Sequence, residues 1–186
     1  MAEAITKTRE QLTAEFSDLD DRYAAIVQAH SIEQLTRRPG ANAWSVAECM
    51  EHVALANSQY LAAIKRAVVD SREPSARRDQ PLTTAGWFSA FFVKSVGPKA
   101  KVKIKARKKI RPSTADAQQA LQRLQQTHHQ IRELLSSDLQ PDLNRVRFKN
   151  PFVPAFHFTV ATGVLVMAAH GHRHLLQAER ACNTQP

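Results

Sequence analysis

WSVAECMEHVALANSQYLAAIKRAVVD, residues 44–70, reads as one long amphipathic helix with a marked start. Ser45 and Glu48 stand at the spacing of a capping box, in which each side chain accepts a hydrogen bond from the other residue's backbone amide and so satisfies N–H groups that a helix start leaves open. Beyond the cap, Val46, Cys49, Met50, Val53, Ala56, Tyr60, Ile64 and Val68 recur at helical spacing to about Asp70. Such a stripe forms only if other elements cover it.

Working outward, three further stretches show the same period. Leu12, Phe16, Leu19, Tyr23, Ile26 and His30 predict a first helix over Ile5 to His30, ended by the breaker pair Pro39 and Gly40 in the segment that follows. Ala117, Leu121, Leu124, His128, Ile131 and Leu135 predict a third helix starting near Ser113 or Thr114. The fourth, Thr159 to Ala181, holds the densest apolar run. The window Phe156 to Ala169 contains His157, Thr159 and Thr162 and falls short of the ~20 apolar residues of a membrane span, so it reads as a buried core helix.

The connection between the second and third helices is long and irregular, with Pro74, Pro81, Pro98 and Pro112 excluding a continuous helix. Within it GWFSAFFVKSVG fits a short amphipathic helix, with Trp87, Phe88, Phe91 and Phe92 expected to bury one face, and Lys101 to Arg107 alternates like an exposed strand. The net charge of +9 lies here: Lys94 to Arg111 holds nine basic residues and no acid. The rest of the chain is balanced, so the charge is that of one solvated connection and not a nucleic-acid footprint spread over the fold.

Composition agrees with an all-α fold. Five glycines against 43% apolar residues favour helices, and 186 residues fit a single domain, 1–186, with one core. Cys49 and Cys182 are too few for a disulfide framework, and MAEAITKTRE lacks the apolar stretch of a secretory signal, so the cytoplasm is the expected compartment. No phosphate-binding loop, dinucleotide fingerprint, CxxC pair or nucleophile elbow is present.

His170 and His174 lie four apart on the fourth helix, which points both imidazoles to one side, while His172 falls on another face. Neutral imidazole is a good ligand for zinc, nickel, iron or copper, and two such ligands need completion from elsewhere. The run WSVAECMEHVALAN (44–57) together with MAAHGHRHLLQAER (167–180) resembles the DinB-like family of bacterial four-helix bundles. The resemblance implies an up-down-down-up four-helix bundle, often dimeric, in which His52, His170 and His174 bind one divalent metal, with Gln177 at the position that follows the histidine pair. The family includes thiol-dependent isomerases and S-transferases, metal-dependent hydrolases and proteins of no known activity, so it implies a site and leaves the substrate open.

Beside those ligands, Glu48 is placed either to hold the second nitrogen of His52 or only to cap its helix. Gln177 is placed to touch a bound ligand or to lie on the surface. His128, at a core position, either lines the same cavity or ends the core with its polar edge in solvent. Cys49 either reaches the site or is a small core residue. Three protein ligands leave positions open, which is the mark of a catalytic centre and not of a closed structural one. A metal-dependent thiol transferase or isomerase needs no general base from the protein and is therefore preferred; a metal-dependent hydrolase and a non-catalytic metal or small-ligand binding module are the alternatives. The expected cofactors are zinc or nickel and a low-molecular-weight thiol. The expected partners are a small-molecule substrate and a second copy of the chain, with acidic membrane surfaces and nucleic acid disfavoured.

Overall fold

A computed structural model of the chain describes residues 2–74, 79–100, 106–113, 116–137 and 141–183. Four long helices, α1 (Arg9–Ala29), α3 (Val46–Val69), α5 (Ala117–Ser136) and α6 (Val160–Asn183), carry the core. Two shorter ones, α2 (Ile32–Thr36) and α4 (Gly86–Val96), lie between them. Two antiparallel ladders close the ends of loops: β1 (Thr6–Lys7) pairs with β2 (Leu82–Thr83), and β3 (Arg147–Lys149) with β4 (His157–Thr159).

The caps set the boundaries. Ser45 Oγ accepts from the Glu48 amide at 3.2 Å and the Glu48 carboxylate accepts from the Ser45 amide at 3.0 Å, so α3 starts where its capping box predicts. Thr8 and Gln11 make the same box for α1, which therefore begins at Arg9 and leaves Ile5 to the β1 segment. Ser31 and Gln34 make a third, and the short α2 it starts occupies a stretch expected to be only a turn. Asp116 caps α5, three residues later than anticipated from Ser113. The window Phe156–Ala169 is not all helix: His157–Thr159 pairs with β3 before the Thr159 hydroxyl accepts from the Thr162 amide and α6 begins.

The long helices form a ring in the order α1, α5, α3, α6, each packing on its two neighbours. Side-chain pairs give their senses. Glu51 with Arg123, Asn57 with Thr127 and Lys65 with Gln130 make α3 and α5 parallel. Arg9 at the Leu135 carbonyl and Asp20 at His128 set α1 antiparallel to α5, and Leu19 at Gly171 with Arg22 at Glu179 set α1 parallel to α6. A Cβ on Gly171 would stand 2.9 Å from Leu19, so the glycine is what lets α1 close against α6 directly behind His170.

The predicted short helix is α4, packed on α6, but its aromatic residues do not share one buried face. Ser89, Ala90 and Val93 are buried and Phe92 is partly so, whereas Trp87 and Phe91 are 59% and 55% exposed. An eleven-residue helix has one inward stripe, and small residues occupy it here because α6 approaches closely. The alternating segment read as an exposed strand has residues 101–105 outside the described residues. Among the described residues no helix is long and apolar enough to cross a membrane.

Candidate metal centre

His52 projects from the second turn of α3, and His170 and His174 from the middle of α6, two helices that lie side by side in the ring. Their ring nitrogens meet. His52 Nε2 is 3.2 Å from His170 Nε2, which is 3.1 Å from His174 Nε2, and one ligand atom from each residue lies within 4.8 Å of the others. His52 and His174 are buried and His170 is half-buried. The Trp44 ring packs on two of them, 4.5 Å from the His52 centroid and 5.6 Å from that of His174.

The tautomer of His52 follows from its other nitrogen. Nδ1 lies 2.6 Å from the backbone carbonyl of Ile110, and a carbonyl only accepts, so Nδ1 carries the proton and Nε2 presents a lone pair to the cluster. His170 can then share one proton with one neighbour and not with both. His174 Nδ1 is buried with no hydrogen-bond partner. Burial pushes the pKa of His52 down against the Ile110 carbonyl, pushes His170 down to about 3 with help from His52 and Arg173, and pushes His174 well down with help from His170, His52 and Arg173. All three imidazoles are thus neutral near pH 7, the state a metal requires.

Three neutral nitrogens facing one another with fewer protons than lone pairs are an unsatisfied arrangement. A divalent cation satisfies it: metal–nitrogen bonds of about 2.0–2.1 Å set neighbouring ligand nitrogens roughly 3–3.5 Å apart. The observed spacing fits, and His52, His170 and His174 are the group able to hold the ion.

The remaining sequence-predicted residues fall in different places. Glu48 forms its capping box and a three-contact pair with Arg38, with Nε at 2.8 and 3.0 Å and Nη2 closer still. It does not hold His52, whose second nitrogen belongs to Ile110. Gln177 lines the cavity beside His174 and draws that residue's pKa slightly up against burial. His128 neither lines the cavity nor reaches solvent: it is fully buried on Asp20 of α1, 2.6 Å away. Cys49 is a core residue whose thiol burial pushes far up, outside the cavity lining. The Ile110 carbonyl could not have been found from sequence, because a backbone oxygen has no residue signature; Trp44 was legible only as part of the quoted motif.

The histidines open into a cavity of about 1210 Å³. Its described lining includes Trp44, Ala56, Asn57, Val166, Met167 and five arginines, and no Asp or Glu. Glu48 is spent on Arg38, and Glu51 accepts from the Ser113 amide at 3.2 Å and faces Arg123. The arrangement can hold a cation and bring a ligand to it, and among the described residues no carboxylate lines the cavity to accept a proton there.

No curated protein and no solved structure gives a significant match to the chain. The profile of the DinB superfamily does, over residues 15–178, a span that contains all four long helices in whole or large part and all three histidines. The chain belongs to the DinB superfamily.

Proposed function

We propose that this protein is a metal-dependent enzyme in which His52, His170 and His174 hold zinc or nickel and a low-molecular-weight thiol is activated for transfer to, or isomerisation of, a small-molecule substrate. The observation that supports this reading is the convergence of three neutral imidazoles, with His170 Nε2 3.1–3.2 Å from the Nε2 of each of the other two, in a cavity whose described lining carries no carboxylate. Hydrolysis needs a group to take a proton from water, and the acids nearest on α3 are both engaged elsewhere.

When bound, the ion supplies the positive charge that keeps a thiol, of free pKa ~8.5, as the thiolate at neutral pH. The chain's own residues orient it. The Ile110 carbonyl fixes the His52 ring, Trp44 covers the outer side of His52 and His174, and Val166 and Met167 give the apolar wall against which an electrophile would rest. The setting we propose is the cytoplasm, where small thiols stay reduced and where Cys49 and Cys182 would remain the free thiols they are here. We also assign the exposed face of α4, with Trp87 and Phe91, to a second copy of the chain. Sedimentation of Trp87→Ser/Phe91→Ser as a monomer beside a dimeric parent would support that assignment, and binding to acidic vesicles instead would overturn it.

The test of the chemistry offers the metal-loaded protein several low-molecular-weight thiols with a generic electrophile, alongside activated esters and amides without thiol. Thiol-dependent turnover that is lost in His170→Ala is the expected result. Ester or amide turnover that needs the metal and no thiol would replace this reading with a hydrolase, and silence in every arm would leave a binding module.

A further inference from the structure

We propose that the cavity over the three histidines selects an organic anion, a small molecule with a carboxylate or phosphate group, and that Arg107 and Arg111 receive that group. The proposal rests on this cavity being the substrate site, as above, and not on the identity of the ion.

Arg38, Arg107, Arg111, Arg173 and Arg180 all line the cavity, and among its described lining residues no acid offsets them. Their charges are not equally available. Arg38 is spent on Glu48, Arg180 donates through Nε to the Leu176 carbonyl of its own helix at 3.0 Å, and Arg173 leans toward the Ser95 carbonyl at 3.5 Å. Arg107 and Arg111 are exposed and make no ion pair among the described residues. They flank the short 3-10 turn Lys108–Ile110, whose last carbonyl holds His52, so the two guanidinium groups are tied within a few residues of a metal ligand.

Guanidinium is planar and always charged, and its fork matches carboxylate and phosphate oxygens two at a time. Several such groups around one concave wall, beside a site built for a cation, repel one another unless an anion enters, and they draw anions in from solution. Neighbouring chain acids do not do this here.

A second, independent feature gives the occupant another polar point. Asn57 is fully buried in the cavity wall and its Oδ1 has no partner. The amide orientation is fixed, because the Thr127 hydroxyl donates to the Leu124 carbonyl at 2.8 Å and can therefore only accept from Asn57 Nδ2, at 3.2 Å. A bare acceptor, five residues or about 7.5 Å along α3 from His52, suits an O–H or N–H of a ligand that spans from the arginines past the histidines. An acceptor buried without a donor is costly, so something polar belongs there.

Titration calorimetry with phenylphosphonate, and with benzamide as a neutral molecule of similar size, tests the proposal on the full-length metal-loaded protein, on His170→Ala and on Arg107→Gln/Arg111→Gln. Phenylphosphonate should bind the first two at least about tenfold more tightly than benzamide, and the arginine variant at least about tenfold more weakly, the loss of one charge-assisted hydrogen bond or more. The arginine variant should keep its metal. Equal binding of the acid and the amide, or full affinity in the arginine variant, overturns the inference. Binding that requires the ion and ignores the arginines would make the ion the anion's receptor, which sinks the inference and leaves the metal reading standing. Unchanged metal content in His170→Ala would do the reverse. Displacement of the probe by a single-stranded oligonucleotide at lower concentration than by phosphonate would assign the arginines to nucleic acid and overturn the small-ligand proposal.

Discussion

Two histidine clusters sit in this bundle at similar depth and differ in company. Between α1 and α5, His128 donates to Asp20 Oδ1 at 2.6 Å while Arg132 donates to Oδ2 at 2.7 Å, and Phe16 lies 5.1 Å from the imidazole. Between α3 and α6, the Nε2 atoms of His52 and His174 both turn on that of His170. The first cluster has Nδ1 of His128 and Arg132 both satisfied by Asp20, with only His128 Nε2 left without a partner, so it bridges helices. The second has more lone pairs than protons and no acid, so it is completed only by something from outside the chain. Burial alone does not mark a site; burial without internal compensation does.

The largest expected difference is in metal content. His170→Ala, with two of three ligands left, should fall from about one zinc or nickel per chain to less than about a tenth, while helical content by circular dichroism stays near that of the parent. His128→Ala should keep its ion and lose about 2–3 kcal/mol of stability through the cavity and the unpaired carboxylate it leaves. Equal metal loss in both variants, measured by elemental analysis, would erase the distinction between the clusters.

Stability should separate them in the opposite direction. Asp20→Asn leaves Arg132 and His128 without their charge partner; breaking a buried pair costs about 3–5 kcal/mol, and the partial exposure of Arg132 brings the expected loss to about 2–3. In metal-free protein, His170→Leu removes a poorly satisfied group and should change stability by less than about 1 kcal/mol. Urea unfolding of the two variants gives both numbers, and a larger loss in the metal-free His170→Leu would mean the three histidines are satisfied within the chain after all.

The pH dependence follows from the same contrast. In the fold the pKa values of His52, His170 and His174 are depressed, that of His170 to about 3. In the unfolded chain an imidazole takes a proton with pKa ~6.5. The unfolded state therefore binds more protons below that value, so stability is full above it and declines as pH falls toward the folded pKa. Each such imidazole contributes at most about 1.4 kcal/mol per pH unit, less for the partly exposed His170. Metal-free His170→Leu should show a shallower decline than the metal-free parent between about pH 6.5 and pH 5. Parallel declines would mean that His170 does not enter the fold neutral.

The helices and the pair His170 and His174 were legible because periodicity, caps and four-residue spacing are local: the stripe Val46 to Val68 and the histidine pair each sit on one element, whereas His52 joins them only through the resemblance of residues 44–57 to the DinB-like motif. The α2 turn was legible too, through Ser31 and Gln34, and was overshadowed by Pro39 and Gly40. What could not be read were meetings between distant segments. Thr6 pairs with Thr83, His52 with the carbonyl of Ile110, and His128 with an acid 108 residues away. Two-residue strands carry no period, and a backbone oxygen looks the same at every position. From sequence His128 reads as either a cavity wall or a solvent edge, because its partner lies on another helix and a core histidine paired to a core acid has no spacing rule to reveal it.

The smallest effect is expected at Glu48, and it separates helix start from chemistry. Its carboxylate accepts from the Ser45 amide and from Arg38, and burial opposed by those partners leaves its pKa below the ordinary carboxylate value. Glu48→Gln keeps an acceptor for the Ser45 amide and loses only the charge that pairs with Arg38, whose side chain is half in solvent. The expected loss is therefore under about 1 kcal/mol. It should appear only above the range where the native carboxylate protonates, since a group with a depressed folded pKa gives stability that is present at higher pH and lost as pH falls through that value. Metal occupancy and thiol-dependent turnover should match the parent, because His52 is held by Ile110 and not by this side chain. A tenfold or greater drop in turnover with the ion still bound would place Glu48 in the reaction, and the carboxylate-free cavity would no longer distinguish the α3 and α6 cluster from its counterpart at Asp20.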